Sequence, residues 1–254
     1  IPTLEAVHAM MPQSDWETFN DDWTEHDMCQ FNYLTALADR YGPIVDTADF
    51  VRKAQLADYE TYRAIFEGRS SQMLNPYTGI MIWMSNPAQP SLVWQIYSYD
   101  LEPNSSYFGT KHACERVHIQ MTPTGHVQVI NNTIHALRGL QVKIAIYNLN
   151  GTRASQQKAS VNAAPTAAAD VCDIAWPAGI SSVHFVKLTL ADARGDDLSR
   201  NFYWRSAAGT DCRALQALPP VSLIVRSTRK DSAERCGLRV RLTNPTHTVA
   251  LLAH

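Results

Sequence analysis

Apolar positions along this chain change their spacing near residue 115. Before it they recur at helical intervals. In the stretch DTADFVRKAQLADYETYRAIFEG, Phe50, Ala54, Ala57, Thr61 and Ile65 fall three to four residues apart, the period that gathers side chains on one helix face. Asp46 or Thr47 can cap the start of this helix and Gly68 can end it. Tyr59, Tyr62 and Phe66 are assigned to core packing. A short helix is expected from Leu4 to Met11, closed by Pro12. Residues 12–46 scatter Asp, Asn, Trp and Pro without a period and predict an irregular loop, a length that inside a compact domain is usually functional. Residues 79–84, GIMIWM, form a continuous apolar run between Pro-Tyr-Thr-Gly and Ser-Asn-Pro, the pattern of a buried parallel strand. Residues 101–114 predict another helix, with Pro103 and Asn104 at its start. Helix, strand, helix is the rhythm of an α/β barrel or a doubly wound sheet.

After Glu115 the period drops to two. VHIQMT, HVQVINN, LQVKIAIYNL, VHFVKLTLAD and RNFYWRS suit strands, with turn signals such as Asn150-Gly151 and Arg194-Gly195-Asp196 between them. Six or seven such strands over about 90 residues suggest an immunoglobulin-like sandwich. The Ala-rich residues 163–169 are expected to be a loop and residues 207–218 a linker. Residues 221–227 and 238–244 start a second β unit. Two strands do not close a sandwich, so the chain is expected to be cut at its C-terminus. It opens Ile-Pro-Thr rather than Met, which leaves room for a missing leader and gives no localisation.

Bulk chemistry narrows the function classes. Of 254 residues 45% are apolar and 18% charged, with a net charge of −2, a globular balance with no basic excess to hold a phosphate backbone. No apolar run reaches about 18 residues, so no helix is expected to span a membrane. The five cysteines, at 29, 114, 172, 212 and 236, are scattered and form no Cys-x-x-Cys. They are assigned as reduced thiols. Asn104-Ser-Ser, Asn131-Asn-Thr and Asn150-Gly-Thr match glycosylation triplets, informative only in a secreted eukaryotic protein.

KAQLADYETYRAIFEG, followed by TGIMIWMSNPAQPSLVWQIYSYDLEPNSSYFGTKHACERVHIQ and extending to SRNFYW, resembles glycoside hydrolase family 2. The similarity is greatest to its exo-β-D-glucosaminidases and mannosylglycoprotein endo-β-mannosidases, and it covers roughly residues 1–206. It implies the C-terminal part of a (β/α)8 barrel at residues 1–114, an immunoglobulin-like β-sandwich at 115–206, and a linker with the start of a second sandwich at 207–254. It further implies retaining hydrolysis of β-linked mannosyl or glucosaminyl residues by two Glu roughly 5 Å apart. Both would precede Ile1, so no catalytic residue is assigned in this chain, and the chain alone is expected to be inactive. Glu5 falls in the helix after the nucleophile strand and is assigned as a helix-start carboxylate.

The resemblance also implies candidate sugar contacts. Trp83 would end strand 8 and wall the subsite of the sugar being cleaved; the alternative is a Trp filling the barrel core. Asn86 offers a donor and an acceptor to vicinal hydroxyls, although Pro87 stands where many relatives have Asp. Trp94 belongs either to a distal subsite or to helix packing. His26, in the loop DWTEHD, is either a polar contact to substrate or a solvated loop His. No metal and no cofactor is expected. The expected partners are an oligosaccharide or glycan and the remainder of the chain's own barrel, with neither nucleic acid nor membrane. A non-catalytic sandwich that binds sugar or packs domains is the competing assignment.

Overall fold

The computed structural model describes residues 1–26, 32–76, 78–93, 95–232 and 234–251. Five α-helices precede nine strands: α1 Leu4–Met10, α2 Asp21–Glu25, α3 Asn32–Tyr41, α4 Thr47–Ser71, α5 Ser105–Ala113, then β1 Val117–Met121, β2 His126–Asn131, β3 Leu137–Asn148, β4 Arg153–Ala163, β5 Ala167–Asp173, β6 Val183–Ala191, β7 Asp197–Ser206, β8 Ile224–Asp231 and β9 Cys236–Thr243.

Side-chain caps start the helices. The Thr3 hydroxyl accepts from the Ala6 N–H, the Asp46 carboxylate from the Asp49 N–H, and the Asn104 carbonyl from the Ser106 N–H. Met11, held extended before Pro12, stops α1. Gly68 does not stop α4, which runs on to Ser71. Nothing lies within 4 Å of the Cβ that Gly68 lacks, and no turn there draws it out of the helical region.

Strands β1, β2 and β5 form one antiparallel sheet in the order β1-β2-β5, and β4-β3-β6-β7 form a second. Ile119, Val127 and Val129 of the first sheet share a core with Val142, Ile144, Val186 and Leu188 of the second. Alternation gives the second sheet another buried face. On β6, Val186, Leu188 and Leu190 point into the core between the sheets, while Val183 and Phe185 join Phe50, Leu56 and Trp23 in the helical core. On β7 the same split places Tyr203 between the sheets and Trp204 against the helices. This two-sided burial makes Val183–Val186 continuously buried, while the rest of β6 alternates.

Four expectations are corrected. Residues 12–46 are not one irregular loop. They hold a 3₁₀ turn at Gln13–Asp15 and the helices α2 and α3. Trp23 and Tyr41 are fully buried there, and the Trp23 indole N–H donates to the Asp15 carbonyl. Second, residues 79–84 join no sheet among the described residues. A parallel strand needs neighbours to take up its N–H and C=O groups, and none of the three sheets, β8-β9 being the third, includes this run; Met81 is 98% exposed. Third, the loop expected at residues 163–169 is confined to 164–166, because β4 runs to Ala163 and β5 begins at Ala167. Fourth, Thr61 and Ile65 are exposed, and beyond Ala57 the buried face of α4 is Arg63, Glu67 and Ser70. The segment at 207–218 carries a 3₁₀ helix, Arg213–Ala217, and packs Cys212 and Leu215 into the helical core.

Candidate functional site

Two of the expected sugar contacts, Trp83 and Asn86, lie on the loop that joins α4 to α5. Trp83 is 80% exposed, so its indole is not a core filler among the described residues. Two residues on, the Ser85 carbonyl accepts from the N–H groups of Ile96 and Tyr97, at 3.1 and 2.9 Å, and folds the loop back on itself. Asn86 is exposed, and its carbonyl oxygen accepts from the Ser85 hydroxyl at 3.0 Å. His26 is brought to this loop. Its Nδ1 lies 2.9 Å from the Pro90 carbonyl, and its own carbonyl accepts from the Leu92 N–H. A carbonyl only accepts, so Nδ1 carries the proton and Nε2 remains for another partner. Trp94 lies outside the described residues. Thus His26 is hydrogen-bonded, through Pro90 and Leu92, to the loop that carries Trp83 and Asn86.

A second cluster, built by α4, α5, β1 and β7, is buried. His118 is fully buried on β1, with Nε2 3.1 Å from Glu67 Oε1 and Nδ1 3.1 Å from Glu115 Oε2. Burial pushes its pKa down, but the two carboxylates outweigh this and raise it. Glu67 is likewise pushed up by burial and held below the usual carboxylate range by His118, Arg63 and Asn201. The Arg63 guanidinium donates to the Phe202 carbonyl at 2.6 Å and lies 4.2 Å from the centre of the Tyr203 ring. His112, in the last turn of α5, holds the Tyr59 hydroxyl at Nδ1 (2.7 Å) and the Arg200 carbonyl at Nε2 (2.6 Å). Ser199 donates to Glu115 Oε2 at 2.6 Å. Sequence reasoning missed this cluster. The readable signals were the i,i+4 pair Arg63 and Glu67, on the side of the helix away from Thr61 and Ile65, and the spacing His112-x₂-Glu115-x₂-His118.

No family model matches the chain. The chain is 35% identical to an exo-β-D-glucosaminidase of Amycolatopsis orientalis over 224 residues, which is 81% of this chain and 21% of that protein. Against a mannosylglycoprotein endo-β-mannosidase of Lilium longiflorum identity is 27%, over 95% of this chain and 28% of that protein. A solved structure of the Amycolatopsis orientalis exo-chitosanase in complex with PNP-β-D-glucosamine superposes with a TM-score of 0.85 at 29% identity, covering 97% of this chain and 33% of that one. Over most of its length the chain is similar to enzymes of glycoside hydrolase family 2. A β-D-mannosidase of Dictyoglomus thermophilum shares the fold with a TM-score of 0.73 at 16% identity, over 96% of this chain and 30% of that one. The chain spans about a quarter of the length of the family 2 relatives it matches. The family 2 likeness runs through both the helical segment and the paired sheets, because 97% of the chain superposes at once.

Proposed function

We propose that this chain is part of a retaining β-glycosidase acting on β-linked glucosaminyl or mannosyl residues. Residues 1–114 supply the C-terminal portion of its (β/α)8 barrel, residues 115–206 an immunoglobulin-like sandwich, and residues 207–254 a linker and the start of a second sandwich. The observation that carries this reading is the superposition of 97% of the chain on an exo-chitosanase bound to PNP-β-D-glucosamine. Glucosaminyl substrates are the better supported of the two. The relatives at 31–35% identity are exo-β-D-glucosaminidases, and the endo-β-mannosidase stands at 27%.

In this reading a general acid and a nucleophile, both carboxylates roughly 5 Å apart, come from outside the chain. Glu5 is neither of them: it lies in the first turn of α1, where a carboxylate complements the helix dipole. The chain contributes sugar contacts. Trp83 offers a flat apolar face for a pyranose ring and an N–H for a hydroxyl, Asn86 an amide for hydroxyl pairs, and His26 its free Nε2.

The test compares the full-length protein carrying this segment with the 254-residue chain on PNP-β-D-glucosaminide and aryl β-mannosides. Expected are hydrolysis with retention of anomeric configuration by the whole protein and background rates from the chain alone. Sustained turnover by the chain alone, or inversion by the whole protein, would refute the assignment.

A further inference from the structure

His112, Glu115 and His118 each place one ligand atom within 4.8 Å of the other two. We propose that these three residues bind one divalent transition-metal ion, zinc by their ligand chemistry, at the junction of α5 and β1. Two imidazoles and a carboxylate are a borderline-soft donor set that suits zinc, with a water completing four-coordination.

What lifts this above a chance grouping is the state of the nitrogens facing away from the site. Imidazoles that ligate a metal almost always donate their other N–H to a carboxylate or a carbonyl, which fixes the tautomer and the ring orientation. His118 turns Nδ1 to Glu115 and Nε2 to the buried Glu67 carboxylate, 3.1 Å away. With the ion on Nδ1, the outer N–H is already received by Glu67. His112 holds the Tyr59 hydroxyl at Nδ1 and the Arg200 carbonyl at Nε2, so one of these contacts gives way to the ion and the other remains as the outer partner. The carboxylate ligand is oriented too, by the Ser199 hydroxyl.

The ion replaces a proton. Between two carboxylates His118 satisfies both only when each ring nitrogen carries a hydrogen. Binding releases the Nδ1 proton to solvent and puts the ion between His118 and Glu115. Local charge tolerates the exchange, since Glu67 and Glu115 face the cluster against Arg63. Access comes through Glu115, whose side chain is 37% exposed. Outer contacts reach β7 at Arg200 and α4 at Glu67, so an ion here would tie α5, β1, β7 and α4 together.

The test uses the metal-stripped 254-residue chain, titrated calorimetrically with Zn²⁺ and, in parallel, with Co²⁺, whose visible absorption reports its coordination geometry. Expected are one ion per chain, a tetrahedral Co²⁺ spectrum and a rise in the melting temperature with Zn²⁺. His112→Ala and Glu115→Gln, both at half-buried positions, should abolish the spectrum and the rise while the far-ultraviolet circular dichroism of the folded chain is kept. Glu67→Gln, which touches no ion, should weaken binding about 10–100-fold as the loss of an outer partner. The proposal is overturned by a wild-type chain that binds no stoichiometric ion, or by binding that His112→Ala and Glu115→Gln leave unchanged.

Discussion

The Tyr203 hydroxyl donates to Glu67 Oε2 at 3.0 Å while accepting from the Met121 N–H at 3.0 Å. One phenol thereby links β7, β1 and the long helix α4 in a region closed to water. Tyr203→Phe keeps the ring under the Arg63 guanidinium but removes one bond to a buried carboxylate and leaves a backbone N–H without its acceptor. The expected loss is about 1.5–3 kcal/mol, read as a lower midpoint in urea unfolding. An unchanged midpoint would mean that the network does not bear on stability.

Gly109 sets how closely α5 approaches α4. A Cβ there would meet the Tyr59 carbonyl oxygen at 2.5 Å and the Arg63 nitrogen at 3.2 Å, both backbone atoms of α4. In a solvent-facing helix Gly→Ala stabilises by about 1 kcal/mol. At this crossing the sign reverses. Gly109→Ala should destabilise by about 1–3 kcal/mol as an overpacking change, while Gly68→Ala, in open space on α4, should stabilise. Thermal melts of the two variants side by side decide the matter; equal shifts of one sign would contradict this account of the crossing.

The legible part of the fold was the part in which burial and hydrophobicity coincide. Strands β1, β2, β3, β6 and β7 were readable because Val, Ile, Leu and aromatic side chains mark their buried faces. Two of the edge strands, β4 and β5, were not. β4 and β5 line the core with Ala154, Ala159, Ala169 and Cys172, small residues that carry little strand signal. On α4, Thr61 and Ile65 were expected inside because apolar period was equated with burial. The helix instead meets β1 and β7 through Arg63 and Glu67, whose charges satisfy one another. A pattern of hydrophobicity does not contain a buried ion network. Of the candidate sugar contacts, Trp83 and Asn86 lie exposed on one loop, His26 joins it through Pro90, and Trp94 falls outside the described residues.

Asp49 gives a pH dependence whose sign can be worked out. Burial pushes its carboxyl up, but hydrogen bonds from Lys53, Arg52 and the Val45 N–H outweigh this and hold it below the ordinary value. Lys53 is itself buried and lies 2.6 Å away. A carboxyl with a depressed folded-state pKa stabilises the fold above its unfolded pKa, about 3.9. That contribution is lost as pH falls through the folded value. Wild-type chain should therefore lose stability steeply below about pH 4, and Asp49→Asn should flatten this slope while lowering stability at neutral pH. Parallel slopes for the two proteins between about pH 5 and pH 2 would assign acid sensitivity to other carboxylates.

Trp83 separates a sugar-binding role from a packing role. The indole is 80% exposed, so truncating it removes little buried surface from this chain, and Trp83→Ala should leave its melting temperature nearly unchanged. In the full-length enzyme the expected effect is on turnover. An indole that stacks on the sugar and donates its N–H as the ring distorts toward an oxocarbenium-like state lowers the barrier as well as the binding constant. Loss of such a donor and stacking face should cost kcat/KM about 2–4 kcal/mol. Trp83→Phe, which keeps an aromatic face and loses the N–H, should fall between wild type and Trp83→Ala. The packing role makes the opposite forecast, about 3–5 kcal/mol of stability with catalysis intact in the folded fraction. Measuring kcat/KM and the unfolding midpoint on the same full-length preparations distinguishes the two. A sharply lowered midpoint with wild-type kcat/KM would make Trp83 structural and remove it from the substrate site.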